Sequence, residues 1–305
     1  MRRIEGIVTA LLTPFDKKGE VNVEALKNLL DFQLEKDVNG LYPCGSTGSG
    51  PVMRVAQRKK VAEIVIERVG GRVPVMVHVG AANMDDIVEL VHHARDVGAD
   101  AVGCVTPFYY TVDDEALKRF YSKVADESEL PLLLYNIPEF TGVNIKPSLA
   151  AELAENPTIR GVKDSSRNLT QLQEYIESLP KDFTILVGTD TLIFPALVLG
   201  AIGAIAVGAN AFPEAYRDIY SLFKAGKIEE AAKMQHTLNK LIRYLKTPLM
   251  APVHEALRMR GIDSGCVKLP FREMTDDEKA TFREYVERFA RFTEGQMELR
   301  QDPAR

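Results

Sequence analysis

The sequence predicts an α/β fold: a parallel (β/α)8 TIM barrel with a C-terminal helical extension. Three observations predict it. Short runs rich in Val, Ile, Leu and Ala recur about eight times along the 305 residues. Most are followed by a segment of helical spacing. The runs are nearly continuous in apolar residues rather than alternating, as strands covered on both faces are. A doubly wound open sheet is the alternative, but no Gly-x-Gly-x-x-Gly follows the first strand candidate.

The first strand is expected over 6–12, closed by Thr13-Pro14. Asn22 is a natural N-cap for a helix over 23–34, since its side chain can accept from the first turn. A second strand at 40–43 runs into the loop Cys44-Gly45-Ser46-Thr47-Gly48-Ser49-Gly50. A helix over 56–68 follows, then a strand over 73–79 and a helix over 85–97. The fourth strand, 101–105, closes in Thr106-Pro107-Phe108-Tyr109-Tyr110 and precedes a helix over 113–126. The fifth, 131–135, ends in Asn136-Ile137-Pro138, with a helix beginning at Pro147. The sixth is Ile159-Arg160-Gly161-Val162-Lys163, followed by a polar turn into a helix. The seventh, 183–187, ends in Gly188-Thr189-Asp190, and 194–209 reads as a buried helix and an eighth strand over 204–207. Beyond Asn210 only helical segments follow, over 215–224, 228–245, 252–260 and 275–292. The chain thus divides into a catalytic barrel, 1–210, and an extension, 211–305, packed on it, with a polar tail over 298–305.

Composition narrows the function classes. A net charge of -5 with no basic cluster argues against nucleic acid and against an anionic membrane surface. No uncharged apolar stretch is long enough to span a bilayer. An acid at Glu5 precedes any apolar run, so no signal peptide is expected. Cys44, Cys104 and Cys266 lie far apart without a Cys-x-x-Cys. That fits a reducing cytoplasm rather than a disulfide framework or a zinc site.

In such a barrel the active site lies at the C-terminal ends of the strands, where the polar residues gather. Lys163 ends an apolar strand, although lysine is seldom buried. Burial favours a neutral amine, which can attack a ketone and form a Schiff base. The bland alternative is a lysine reaching out of the strand end to solvent. Alternation places Lys163 on one face with Gly161 and Ile159, and a small residue beneath it leaves room for its stem. Tyr135 shares a parity with Leu133 and Pro131 and can point inward beside it, as a proton carrier or as packing. The loop Gly45-Ser46-Thr47-Gly48 can cradle an anion or simply turn the chain. Asp190 is either a substrate ligand or a helix cap.

Several segments together carry a resemblance. Ala10-Leu11-Leu12-Thr13-Pro14-Phe15, Gly45-Ser46-Thr47-Gly48, Val105-Thr106-Pro107-Phe108-Tyr109-Tyr110, Tyr135-Asn136-Ile137-Pro138 with Thr141-Gly142, and Gly161-Val162-Lys163 resemble the signatures of the N-acetylneuraminate lyase / dihydrodipicolinate synthase family. The resemblance spans essentially the whole chain in order and spacing. It implies that Lys163 binds the keto carbon of pyruvate or a 2-keto acid and that Tyr135 transfers the proton. It implies further that Ser46 and Tyr109 complete a hydroxyl relay, Tyr109 coming from a neighbouring subunit. Thr47 and the Ser46-Thr47 backbone would hold the substrate carboxylate. A homotetramer built of two dimers is implied, and no metal or organic cofactor.

The departures bear on the substrate. Synthase members of the family carry arginine in the Tyr-Asn-x-Pro-x-Arg-Thr-Gly segment, and here that residue is Phe140, which cannot replace a guanidinium. The lyase pattern Gly-x-Asp-Glu stands as Gly188-Thr189-Asp190-Thr191, and the serine of the eighth strand is Val207. A polyol needs its hydroxyls matched, so sialic acid loses support. Gly48-Ser49-Gly50-Pro51 resembles the loop of archaeal 2-keto-3-deoxygluconate aldolases, and Ser165 and Asp190 remain as hydroxyl-binding candidates, with Gly188 and Phe140 beside them. The sequence is therefore read as a class I aldolase that cleaves a 2-keto-3-deoxy sugar acid or related 2-keto acid to pyruvate and an aldehyde. A 2-keto-3-deoxy acid dehydratase, a dihydrodipicolinate synthase and a non-catalytic keto-acid binder are the alternatives.

Overall fold

A computed structural model describes residues 4–245 and 248–292. Eight parallel strands alternate with helices. The strands are β1 (Gly6–Thr9), β2 (Gly40–Leu41), β3 (Met76–His78), β4 (Ala101–Val105), β5 (Leu132–Asn136), β6 (Ile159–Asp164), β7 (Thr184–Val187) and β8 (Gly203–Ala206). The helices are α1 (Val23–Glu35), α2 (Val55–Val69), α3 (Met84–Asp96), α4 (Asp114–Glu127), α5 (Pro138–Thr141) and α6 (Pro147–Leu153). They continue as α7 (Leu169–Ser178), α8 (Ile193–Leu199), α9 (Pro213–Lys224), α10 (Ile228–Ile242), α11 (Ala251–Met259) and α12 (Asp276–Phe292).

The order β2-β1-β8-β7-β6-β5-β4-β3 runs from one edge of the sheet to the other. A bridge between Leu41 and Val75, with His78 N donating to Pro43 O at 3.1 Å, joins β2 to β3 and closes the ring. The fold is the (β/α)8 barrel the apolar runs predict. Closure leaves no edge strand unpaired. The helices start where local chemistry dictates: the Asn22, Asn83, Asp113 and Asn168 side chains each accept from an N-terminal backbone N–H of α1, α3, α4 and α7.

Two layers of apolar packing result. An inner cluster, including Val8, Tyr42, Met76, Leu133, Leu186 and Ile205, fills the barrel. A larger outer cluster joins the strands to the helices. The regular strands are shorter than the sequence implies: β1 stops at Thr9 and β3 starts at Met76. Ala10 N and Leu11 N still bond Ala206 O at 2.9 Å and Tyr42 O at 3.0 Å, and beyond them the buried chain builds the rim. In β6 the pairing jumps, with Leu132 opposite Ile159 but Leu133 opposite Gly161. Arg160 is the extra residue of this bulge. Ile159 therefore joins the outer cluster, and the expectation that it shares the Lys163 face is corrected. Lys163 is also not the last strand residue, since β6 ends at Asp164. The helix after β8, α9, packs against β1, so a division at residue 210 falls between β8 and its own helix.

Candidate active site

Register sets the centre of the site. Tyr135 on β5 lies directly opposite Lys163 on β6, and both side chains are buried. The Lys163 Nζ sits 3.8 Å from the Tyr135 ring centroid and 4.6 Å from that of Tyr42. The lysine is thus held inside the barrel, not at its surface. Gly161 serves the close packing of β6 between β5 and β7 rather than the lysine stem, because a Cβ there would meet Leu133 Cγ at 2.7 Å and Thr184 O at 2.6 Å. Gly188, just beyond β7, leaves the room for the lysine, since a Cβ there would fall 2.9 Å from Lys163 Cε and 2.0 Å from Ser165 Oγ.

The loop after β2 supplies Ser46, whose Oγ is 3.4 Å from the Tyr135 hydroxyl. The loop is folded tightly: Gly50 N donates to Gly45 O at 3.0 Å, and Cys44 and Ser49 hold positive φ. Ser46, Thr47, Tyr135, Lys163, Ser165 and Gly188 line one cavity of about 380 Å³, with Phe140 and Asp190 also on its wall. That volume is within the usual range for small-molecule sites. Ser165 Oγ is buried without a partner, so it is available to a ligand.

Other residues singled out from the sequence fall elsewhere. Gly45 does not line the cavity; a Cβ there would press on the Tyr42 ring at 2.9 Å, so it serves packing. Asp190 faces the cavity but its carboxylate is engaged: it accepts from Val207 N at 3.0 Å, Gly208 N at 2.8 Å and the Tyr216 hydroxyl at 2.5 Å. It ties the end of β7 to that of β8, so it is neither a free substrate ligand nor a cap of the helical turn it opens, whose N-cap is Thr189. Burial raises its pKa, and the three donors oppose that rise. Tyr109 lies outside the cavity of its own chain, 85% exposed at φ 80°, with its ring edge-on to Tyr110 at 4.9 Å.

Sequence reasoning passed over two groups beside the lysine and Tyr135, namely Tyr42 and His78. Tyr42, His78 and Tyr135 form an edge-to-face trio with centroids 5.8–6.1 Å apart. Tyr42 fits because Gly103 opposite it has no side chain; a Cβ there would meet the Tyr42 hydroxyl at 2.7 Å. His78 is held by Cys44 O, 3.1 Å from Nδ1, and by the buried Arg58 guanidinium, which donates to His78 O at 2.6 Å. Burial, then Arg58, then Lys163 push its imidazole well below the ordinary histidine range, so it stays neutral. Strand parity carries the signal: Met76 and His78 share a face, as do Gly40 and Tyr42. The rim also holds Glu139 and Arg167, and Leu249 and Met250 from the approach to α11. Among the described residues no group of three or more His, Cys, Asp or Glu could hold a metal ion, and no helix is long and apolar enough to cross a membrane.

Comparison with known proteins gives a consistent picture. The dihydrodipicolinate synthetase family model matches residues 3–289. A 4-hydroxy-tetrahydrodipicolinate synthase of Methanopyrus kandleri is 38% identical over 297 residues, covering 96% of this chain and 99% of its own. The structure of CdNal from Clostridium difficile in complex with mannosamine superposes with a TM-score of 0.90 at 32% identity, covering 94% of this chain and 99% of that one. That of YagE from E. coli K12, in complex with pyruvate, gives 0.91 at 29% identity, covering 93% and 98%.

Proposed function

The chain belongs to the dihydrodipicolinate synthetase family, and we propose that within it the protein is a Schiff-base aldolase. It cleaves a 2-keto-3-deoxy sugar acid, or a related 2-keto acid, to pyruvate and an aldehyde. The observation that carries this reading is the placement of Lys163: a lysine inside a barrel, opposite a tyrosine whose hydroxyl reaches a serine. Pyruvate in the related YagE structure supports it.

The steps follow from the groups present. Lys163 Nζ attacks the C2 carbonyl, and water leaves to give a protonated imine. Thr47 and the backbone beside it hold the carboxylate. Tyr135 gives its phenolic proton to the departing carbinolamine hydroxyl, which leaves as that water, and the resulting phenolate, in contact with Ser46, then takes the proton of the C4 hydroxyl. The C3–C4 electron pair moves into the imine as that bond breaks, the aldehyde departs, and an enamine remains. A proton then adds at C3, and water releases pyruvate and the free lysine. The aromatic walls of Tyr42 and Tyr135 keep the lysine stem in one place, so little orientation is lost during attack. Tyr109 of a neighbouring subunit would complete the relay in a homotetramer.

A synthase reading is favoured by the name that the Methanopyrus relative carries. Phe140 stands against it, because it is an apolar ring at the position where the synthase pattern has arginine. Product analysis decides between the readings. A panel of 2-keto-3-deoxy acids should yield pyruvate and an aldehyde in equal amounts. A single dehydrated keto acid would mean a dehydratase. Condensation of pyruvate with an amino-aldehyde, without cleavage of any panel member, would mean a synthase.

A further inference from the structure

The cavity has a second charged end. Arg167 lies four residues beyond Lys163, so their Cα atoms are at most about 14 Å apart. Both line the same cavity. Arg167 holds φ 63°, a left-handed conformation that L side chains rarely adopt. The chain bears that strain while placing a half-exposed guanidinium on the wall, where Nη2 meets Glu139 Oε2 at 2.5 Å. Glu139 is the ion-pair partner the structure gives Arg167 among the described residues, and it engages one nitrogen of a five-donor fork. Phe140, beside Glu139 on α5, brings no charge to this end.

We propose that Arg167 is a specificity-determining residue that reads an anionic group at the far end of the keto acid. Glu139 holds the guanidinium in place and competes with the ligand for it. The substrate is then a 2-keto acid with a second acidic terminus, a carboxylate or a phosphate ester, rather than a neutral polyol tail. This rests on the aldolase reading of Lys163 and names the class of substrate that site takes.

The test compares keto acids of equal chain length ending in CH2OH, carboxylate or phosphate, on the wild type, Arg167→Met, Arg167→Gly and Glu139→Gln. Arg167→Met should raise KM for the acidic-tailed compounds about tenfold, the worth of one charged contact of roughly 1.4 kcal/mol, and leave the neutral one unchanged. Glu139→Gln should lower KM for the acidic-tailed compounds. Whichever acidic tail responds identifies carboxylate or phosphate as the group read. Arg167→Gly should raise Tm, since glycine fits the left-handed position, while losing the preference for the acidic tail. Equal effects on all three tails, or no effect on any, would overturn the proposal. Borohydride trapping of pyruvate on each variant separates the two claims: an adduct without tail discrimination sinks only the role of Arg167, and no adduct on the wild type sinks the aldolase reading.

Discussion

At Gly188 a single hydrogen stands between the lysine and a blocked site. A methyl group there overlaps Ser165 Oγ at 2.0 Å and crowds Lys163 Cε at 2.9 Å. Gly188→Ala should therefore abolish keto-acid cleavage while the protein still folds. Far-UV circular dichroism and a turnover assay check the two halves, and wild-type turnover would contradict the crowding. Lys163→Ala should remove essentially all cleavage, measured as pyruvate released. Lys163 and Tyr135 were legible in the sequence because each breaks an apolar run at a strand end. Ser46 and Thr47 were legible through their glycines. Tyr42 and His78 were not, because a tyrosine and a histidine inside apolar runs look like packing until opposite strands show what they face. Asp190 was legible as a polar residue but not in its role, since its three donors come from residues 17 to 26 positions away.

Among the elements, β4 and the end of β2 are coupled through Gly103 and Tyr42. Gly103→Ala would drive a Cβ to 2.7 Å from the Tyr42 hydroxyl, and Tyr42 forms one wall of the lysine's slot. Overpacking of this kind costs about 1–3 kcal/mol, so Tm should fall and activity with it. The helix α11 gives a pH signature. His254 is buried there with Nδ1 unpartnered, and burial, ahead of the Arg258 charge, holds its imidazole down at about 4. Above the unfolded value near 6.5 both states are neutral and this histidine takes nothing from stability. As pH falls from there toward 4 the unfolded chain binds the proton first, and stability drops on the order of 3 kcal/mol. Urea midpoints across that window should fall in the wild type and fall less steeply in His254→Asn, where buried His78 still contributes; parallel curves would contradict the assignment. Strands and helices were legible as periodicities, and their caps as Asn and Asp. The β6 bulge was not, because one inserted residue leaves the apolar run looking continuous. The short helix α5 was hidden by its length of four residues.

For the whole molecule, the barrel followed from the count and order of apolar runs, and the place of the site from which strand ends were polar. What one chain does not supply is a use for Tyr109 and Tyr110, 85% and 75% exposed, on a backbone with Tyr109 at positive φ. If Tyr109 serves a neighbour's site in a tetramer, specific activity should fall on dilution below the assembly's dissociation constant. Tyr109→Phe should lower kcat by about 100-fold or more without preventing imine formation, since proton transfer rather than attack is lost. Sedimentation velocity alongside activity checks this, and a fully active monomer would refute it. All of this chemistry depends on Lys163 acting as a nucleophile toward pyruvate. Borohydride reduction in the presence of pyruvate, followed by intact mass and peptide mapping, tests it most directly. One reduced adduct per chain is expected, on the peptide carrying Lys163 and absent from Lys163→Ala. A folded protein that gains no adduct, or gains it on another lysine, would contradict it.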